Sequence, residues 1–283
     1  MIAELPGRPS SRSSAAASML PAPVRVLIVH WSTIKAFVRR DIHGRYVTSV
    51  MGLSWAIIQP LTLLLLYTFL FSYILKVRFG AAGSTKSFTV YLFCGMLPWI
   101  AFSEGLVRAS GVILEQGHLI KKVVFPSDIL PAYVVLSALT MEMLGLSVLL
   151  VAVALFAGGL GWSLVALPAI IVLQFMLTVG LAWFLASLTV FLRDVAQVLG
   201  LAMTLWMFLT PIFYPPEAIP PHLKWMLNLN PMYHVVQAYR DVIIEGRLPG
   251  RLQIGVLGAM ALTSFLLGHW FFRRSKNAFV DVL

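Results

Sequence analysis

The chain has 283 residues, 59% of them hydrophobic and 11% charged, and a mean hydropathy of +0.89. Soluble domains carry about 25% charged residues, so this composition excludes an ordinary soluble fold and makes lipid the solvent for most of the chain. The formal net charge of +10 does not indicate nucleic acid, because the basic residues are scattered between hydrophobic runs and form no dense block beside stacking aromatics.

Residues 1–22, rich in Ser, Ala and Pro, lack the apolar core of a secretory signal and read as a disordered cytoplasmic tail. Over 24–46, Leu27, Trp31, Ile34, Val38 and Ile42 share one helical stripe, with Arg25, Ser32, Lys35, Arg39 and His43 mostly opposite. That spacing predicts an amphipathic helix lying in the membrane surface. Crossing a hydrocarbon core of ~30 Å takes about 20 apolar residues. Runs of that kind predict six spans, at 52–75 (carrying Pro60), 88–107, 130–156, 163–192, 195–214 and 252–272. Residues 108–128 are polar enough to leave the membrane and too long for a turn, and the glycines at 158–161 predict a tight turn. Pro215, Pro216, Pro220, Pro221 and Pro231 break up 215–250, whose short apolar pieces suit re-entrant or interfacial half-helices held against protein. The expected fold is an all-α integral membrane protein: six transmembrane helices, an interface helix and external half-helices before the last span. With the amino terminus inside, fourteen of the 21 Lys and Arg residues fall in cytoplasmic segments, which places both termini in the cytoplasm and 215–250 outside.

Reactive groups are sparse. The single cysteine, Cys94, lies inside an apolar run and gives neither a disulfide nor a thiolate zinc site. The six histidines show no metal spacing, so no metal is expected. Residues 80–87 superficially resemble a phosphate loop, but Thr85 stands where Walker A requires Gly before the Lys. Glu104 and Glu142 are the carboxylates inside expected spans; Glu142, near mid-membrane, reads either as a functional group or as a hydrogen-bonded tie between helices. The aromatics Trp55, Tyr67, Phe71, Trp206, Phe213 and Tyr214 serve either as channel or gate surfaces stacking on sugars or as lipid-facing packing.

Five blocks, in order, resemble one family. Arg40, Asp41, Arg45 and Tyr46, then Gly52, Trp55 and Pro60, fit R-D-x-x-x-R-Y followed by G-x-x-W-x-x-x-x-P. His118 to Pro126, then Leu130 and Pro131, fit N-L-I-K-K-x-x-F-P and L-P with His for Asn. Phe191, Arg193, Asp194 and Val195 fit F-x-R-D-V; Thr210, Pro211, Tyr214 and Pro215 fit S-P-x-x-Y-P with Thr for Ser; Asn230 and Pro231 fit N-P-x. Over about residues 24–275 the chain thus resembles type-2 ABC exporter permeases of the polysaccharide branch, O-antigen and teichoic acid exporters among them.

The resemblance implies a non-enzymatic permease subunit of the bacterial inner membrane that forms a homodimer and joins two copies of a cytoplasmic ATPase, which bind the ATP and Mg. Its cargo would be a lipid-linked glycan taken from the cytoplasmic leaflet. The 108–128 segment would carry a coupling helix whose contact face is Ile113, Leu114, Glu115, Gln116 and Leu119. Arg39, Arg40, Arg45 and Tyr46 would sit at lipid phosphate level, as guides for a lipid-diphosphate or as charge anchors. Rival expectations are a type-2 exporter of another cargo (teichoic acid, capsule, drug or lipid), a membrane-embedded glycosyltransferase, and a secondary transporter. The last is disfavoured by a lone central carboxyl and no internal repeat.

Overall fold

In lipid a segment satisfies its backbone polar groups locally only by coiling into a helix. Every regular element among the described residues is helical. The computed structural model describes residues 21–46, 51–74, 85–122, 125–156 and 161–282. The expected tail before residue 21, the turn at 158–160, most of the 80–87 loop and the side chains of Tyr46 and Phe71 lie outside that set. The helices are α1 (Ala22–Val29), α2 (Trp31–Tyr46), α3 (Trp55–Thr68), α4 (Thr85–Glu115), α5 (Gly117–Lys122), α6 (Ile129–Phe156), α7 (Leu167–Phe191), α8 (Val195–Leu209), α9 (Lys224–Leu229), α10 (Pro231–Ile243), α11 (Arg251–Ser275) and α12 (Phe279–Val282).

Among the described residues, four stretches are long and apolar enough to cross a membrane: Phe88–Glu115, Ile129–Leu155, Trp162–Phe191 and Arg251–Ala278. They coincide with the expected second, third, fourth and sixth spans. The expected first and fifth correspond to shorter apolar helices. The 14 residues of α3 rise about 21 Å, short of a ~30 Å core, before a wider π-helical turn at Phe69–Ile74. The 15-residue α8 ends at Leu209 rather than near 214, because Pro211 has no N–H to continue the ladder and the chain turns at Thr210.

The expected single interface helix is two helices meeting at His30. The break lets α1 rest on α6 and α11 while α2 packs along α6. Ile34 is fully buried there, and Phe37 meets Tyr133 and Phe125 with ring centroids 5.1 and 5.9 Å apart. Before α3, Gly52 of the G-x-x-W block takes φ +54°, a left-handed conformation that a side chain would strain.

The bundle is organised around α4, which contacts α3, α6, α7, α8 and α10. Of its most apolar stretch 67% is buried, against 28% for α11 at the periphery. The tightest crossing joins α7 and α11. A Cβ placed on Gly268 would lie 1.9 Å from the Gly180 carbonyl oxygen, and one on Gly180 would lie 2.3 Å from the Ser264 carbonyl carbon. Small residues there let two backbones touch, and the Ser264 hydroxyl donates across to the Leu177 carbonyl at 3.0 Å.

Beyond α8 the prolines divide the chain into short 3₁₀ turns, α9 and α10. Asn230 caps α10, its side-chain oxygen accepting from the Met232 N–H at 3.1 Å, with Pro231 supplying a preset φ at the first helical position. Although it carries several polar residues, α10 is buried along most of its length, Val235, Val236, Arg240 and Asp241 included.

Candidate functional site

Among the polar assemblies that bind the apolar helices together in the described residues, three hold motif residues or expected site residues. The first lies where α2 meets α4 and α6. Asp41 accepts from Arg108 at 2.5 Å, from Arg45 at 3.3 Å and from the Ser137 hydroxyl. Glu104 pairs with Arg45 at 2.6 Å and with Arg108 at 3.3 Å. Two carboxylates and two guanidinia thus alternate, and the R-D-x-x-x-R block acquires a physical reason: Asp41 and Arg45, one helical turn apart, reach the same face of α4. Burial opposes ionisation of Asp41, but the hydrogen bonds from Arg108 and Ser137 and the charges of Arg108 and Arg45 outweigh it, holding its carboxyl below the usual carboxylate range.

Because that depressed value belongs to the folded state, the stabilisation is full above the ordinary Asp value of about 4 and is lost as pH falls through the folded one. Asp41→Asn is expected to cost about 2 kcal/mol at neutral pH, by stranding Arg108 and Ser137. The check is limited proteolysis between α2 and α3, which should cleave the variant faster than the native protein at neutral pH and equally fast once the native carboxyl is protonated.

The second assembly is the buried one. Glu142 of α6, 3% exposed, accepts from Gln174 Nε2 of α7 at 2.7 Å and from the Tyr239 hydroxyl of α10 at 2.7 Å. Tyr239 also lies 2.8 Å from Gln174 Oε1, and Gln174 Nε2 lies 3.3 Å from the Pro98 carbonyl of α4. The geometry is that of a hydrogen-bonded contact joining four helices. A cavity of about 120 Å³ between α3, α4 and α6, lined in part by Arg45, Gln59, Glu104 and Glu142, connects the first assembly to the second. Its wall is mostly apolar, but it is roomy enough for water, which those four side chains could hydrogen-bond. Glu142→Gln is expected to leave folded yield nearly unchanged. Glu142→Ala, which strands Tyr239 and Gln174, should lower stability by about 2–4 kcal/mol, read as a fall in thermal midpoint in detergent.

The third assembly joins the T-P-x-x-Y-P and N-P-x blocks. Asn230 Nδ2 donates to the Thr210 hydroxyl at 2.9 Å, and Trp206 Nε1 donates to Asn230 Oδ1 at 3.0 Å. Arg240, 2% exposed, donates to the carbonyls of Pro211 at 2.8 Å and Ile212 at 3.0 Å. Its guanidinium carbon lies 3.4 Å from the Tyr91 ring centroid, and the Tyr91 hydroxyl donates to the Tyr214 carbonyl at 3.2 Å. The turn after α8 is thereby pinned to both α10 and α4.

The expected site residues distribute unevenly over these assemblies. Arg45, an expected head-group contact, pairs with Glu104, and the Glu104 side chain is 29% exposed rather than buried. Arg39 and Arg40 are exposed, with the Arg40 guanidinium 4.6 Å from the Phe37 ring centroid. Within 108–128, α4 runs unbroken to Glu115 and a separate α5 follows Gln116. Ile113 is fully buried, so it packs inward and leaves Leu114, Glu115, Gln116 and Leu119 partly or wholly exposed. Trp206, Phe213 and Tyr214 gather at the third assembly: Trp206 stands edge-on to Phe102 at 5.3 Å, Phe213 stacks near Phe208 at 6.1 Å, and the Tyr214 hydroxyl donates to the Phe208 carbonyl at 2.7 Å. Trp55 and Tyr67 stand apart on α3, where Tyr67 meets Phe93 at 6.3 Å. Sequence reasoning missed Arg240, Tyr239, Gln174 and Asp41 as structural centres. Gln174 carried a signal, being a lone amide in an apolar run.

The profile of the ABC-2 type transporter family matches residues 32–244, which hold all three assemblies. The chain belongs to the ABC-2 type transporter family. Among the relatives of this ABC-2 permease is the O-antigen export system permease protein RfbA of Myxococcus xanthus, 28% identical over 91% of this chain and 98% of the relative. A Klebsiella pneumoniae protein of the same name is 27% identical over 86% of this chain and 92% of its own. The polysialic acid transport protein KpsM of Escherichia coli is 26% identical over 87% and 94% respectively. The permease is thus the multi-pass membrane subunit of an ABC-2 type exporter, and the resemblance seen in its motifs extends along nearly its whole length.

Proposed function

We propose that this permease exports a lipid-linked polysaccharide of O-antigen type from the cytoplasmic side of the bacterial inner membrane. The observation that carries this reading is the near full-length similarity to relatives named as O-antigen export permeases. In it the chain makes six crossings, with α3 and α8 as the short first and fifth, and both termini cytoplasmic. Two copies pair so that α3 and α8 line the passage, and two copies of a separate ATPase bind ATP and Mg and drive it.

Each assembly then has a task. The exposed end of α4 and α5, with Leu114, Glu115, Gln116 and Leu119, docks on the ATPase. Force entering there passes along α4, a single unbroken helix, to the Arg240 pin at its other end. The 215–250 region is the external gate, and Arg40, exposed beside the basic side of α2, receives the phosphates of the carrier lipid by charge-assisted hydrogen bonds.

The test is the combined substitution of Leu114, Glu115 and Leu119 by Ala. Surface polysaccharide should fall at least about tenfold, equivalent to ~1.4 kcal/mol of coupling, while membrane insertion is unchanged and lipid-linked glycan accumulates inside. Unchanged export would reject the docking assignment. Accumulation of a different cargo in cells lacking the permease, whether teichoic acid, capsule, drug or lipid, would reject the O-antigen reading.

A further inference from the structure

Beneath the amino-terminal helices lies a cleft of about 760 Å³, roofed by Leu27 and Ile28 of α1 with Trp31, and walled by Leu139 of α6 and Ile171 and Phe175 of α7. Its lining is almost wholly apolar. Such a space holds no water well, and its walls lose dispersion contacts if nothing fills it. At Trp31, Leu136 and Thr140 it adjoins a second cleft of about 400 Å³, whose rim carries Lys35, Arg39 and His43. These three side chains are exposed. The cations of the neighbouring assembly, Arg45 and Arg108, are paired with Asp41 and Glu104, whereas neither Lys35 nor Arg39 pairs with a carboxylate among the described residues. An apolar slot thus opens on to a basic rim, with an interface helix as its roof.

We infer that this paired cleft is a resident binding site for an anionic glycerophospholipid, its acyl chain under α1 and its phosphate at Lys35 and Arg39. The occupant matches the site part by part. The slot needs a flexible apolar chain and the rim needs a negative head group. A membrane-surface helix meets both in one molecule, since its apolar side faces acyl chains and its basic side faces phosphates. The bound lipid acts as a wedge that sets how far α1 stands from α6 and α7. This role does not depend on which cargo the exporter carries.

The experiment is native mass spectrometry of the full-length permease released from mild detergent after exchange into phosphatidylglycerol or phosphatidylcholine. The native chain should retain phosphatidylglycerol in preference. Lys35→Gln with Arg39→Gln should lower that preference roughly twenty-five-fold, each basic residue near an anionic surface contributing about fivefold. Ile171→Trp, which fills the slot, should reduce retention of both lipids. Should that variant not fold, the surface pair decides alone. Equal retention of the two lipids by the native chain, or an unchanged preference in the double variant, would overturn the site. So would finding a polyprenyl-linked glycan in the cleft, because it would reassign the cleft to cargo.

Discussion

Gly268→Val is expected to abolish folded permease. The new Cβ would fall 1.9 Å from the Gly180 carbonyl oxygen, so two helix backbones rather than one flexible side chain would have to move. Separating α7 from α11 also removes the Ser264 bond to Leu177 and loosens Trp183 from Phe265, whose ring centroids lie 5.4 Å apart. Overpacking usually costs about 1–3 kcal/mol, and a clash with backbone exceeds that range because no rotamer relieves it. The measurement is the monodisperse fraction after detergent extraction. Gly255→Ala and Gly258→Ala on the same helix, with nothing within 4 Å of the added carbon, are the controls and should extract as the native protein does. Equal loss in the controls would show that α11 tolerates no added methyl at all, and the crossing would not be the cause.

Arg240→Lys is expected to stop export while most of the protein still inserts. The guanidinium satisfies two buried carbonyls, Pro211 and Ile212, at once and lies over the Tyr91 ring. An ammonium is a point donor on a flexible stem and cannot reproduce that fork and stack. One buried carbonyl left unpaired costs about 1–3 kcal/mol, and the lost cation–π contact up to about 2 kcal/mol more. The loss falls on the joint between the turn after α8, α10 and α4, so it loosens that joint rather than unfolding the bundle. Arg240→Met, stranding both carbonyls, should add a fall in thermal midpoint. Wild-type export by Arg240→Lys would show that the joint tolerates a single bond.

Helices α6, α7 and α11 were legible in the sequence nearly to their ends, because an apolar run long enough to span has only one way to pair its backbone. The ends of α4 and α8 were not. Helix α4 continues past the expected exit at 107 because Arg108 still finds Glu104 one turn back and Asp41 across the interface, so charge does not end the helix there. Helix α8 stops early because of one proline. Glu142 announced itself as a carboxyl in lipid, yet its partners Gln174 and Tyr239 lie 32 and 97 residues away, and nothing local connects them. Asp41 and Asn230 were visible as motif letters without a reason; their reasons are Arg108, 67 residues on, and Thr210, 20 residues back.

The amino-acid sequence by itself determined that this protein lives in lipid, that its long elements are helices, and that it belongs among ABC-2 exporters. Hydropathy, run length and motif order are all local properties of the chain, and they survive without knowing what touches what. Only the tertiary structure decided which polar groups pair inside the bundle and which stand exposed. A guanidinium or carboxyl in a membrane protein must find an opposite charge, a carbonyl or the interface, and the choice depends on distance in space. Arg39 and Arg45 share helix α2; the fold turns Arg45 inward to Glu104 and leaves Arg39 exposed on the outer face.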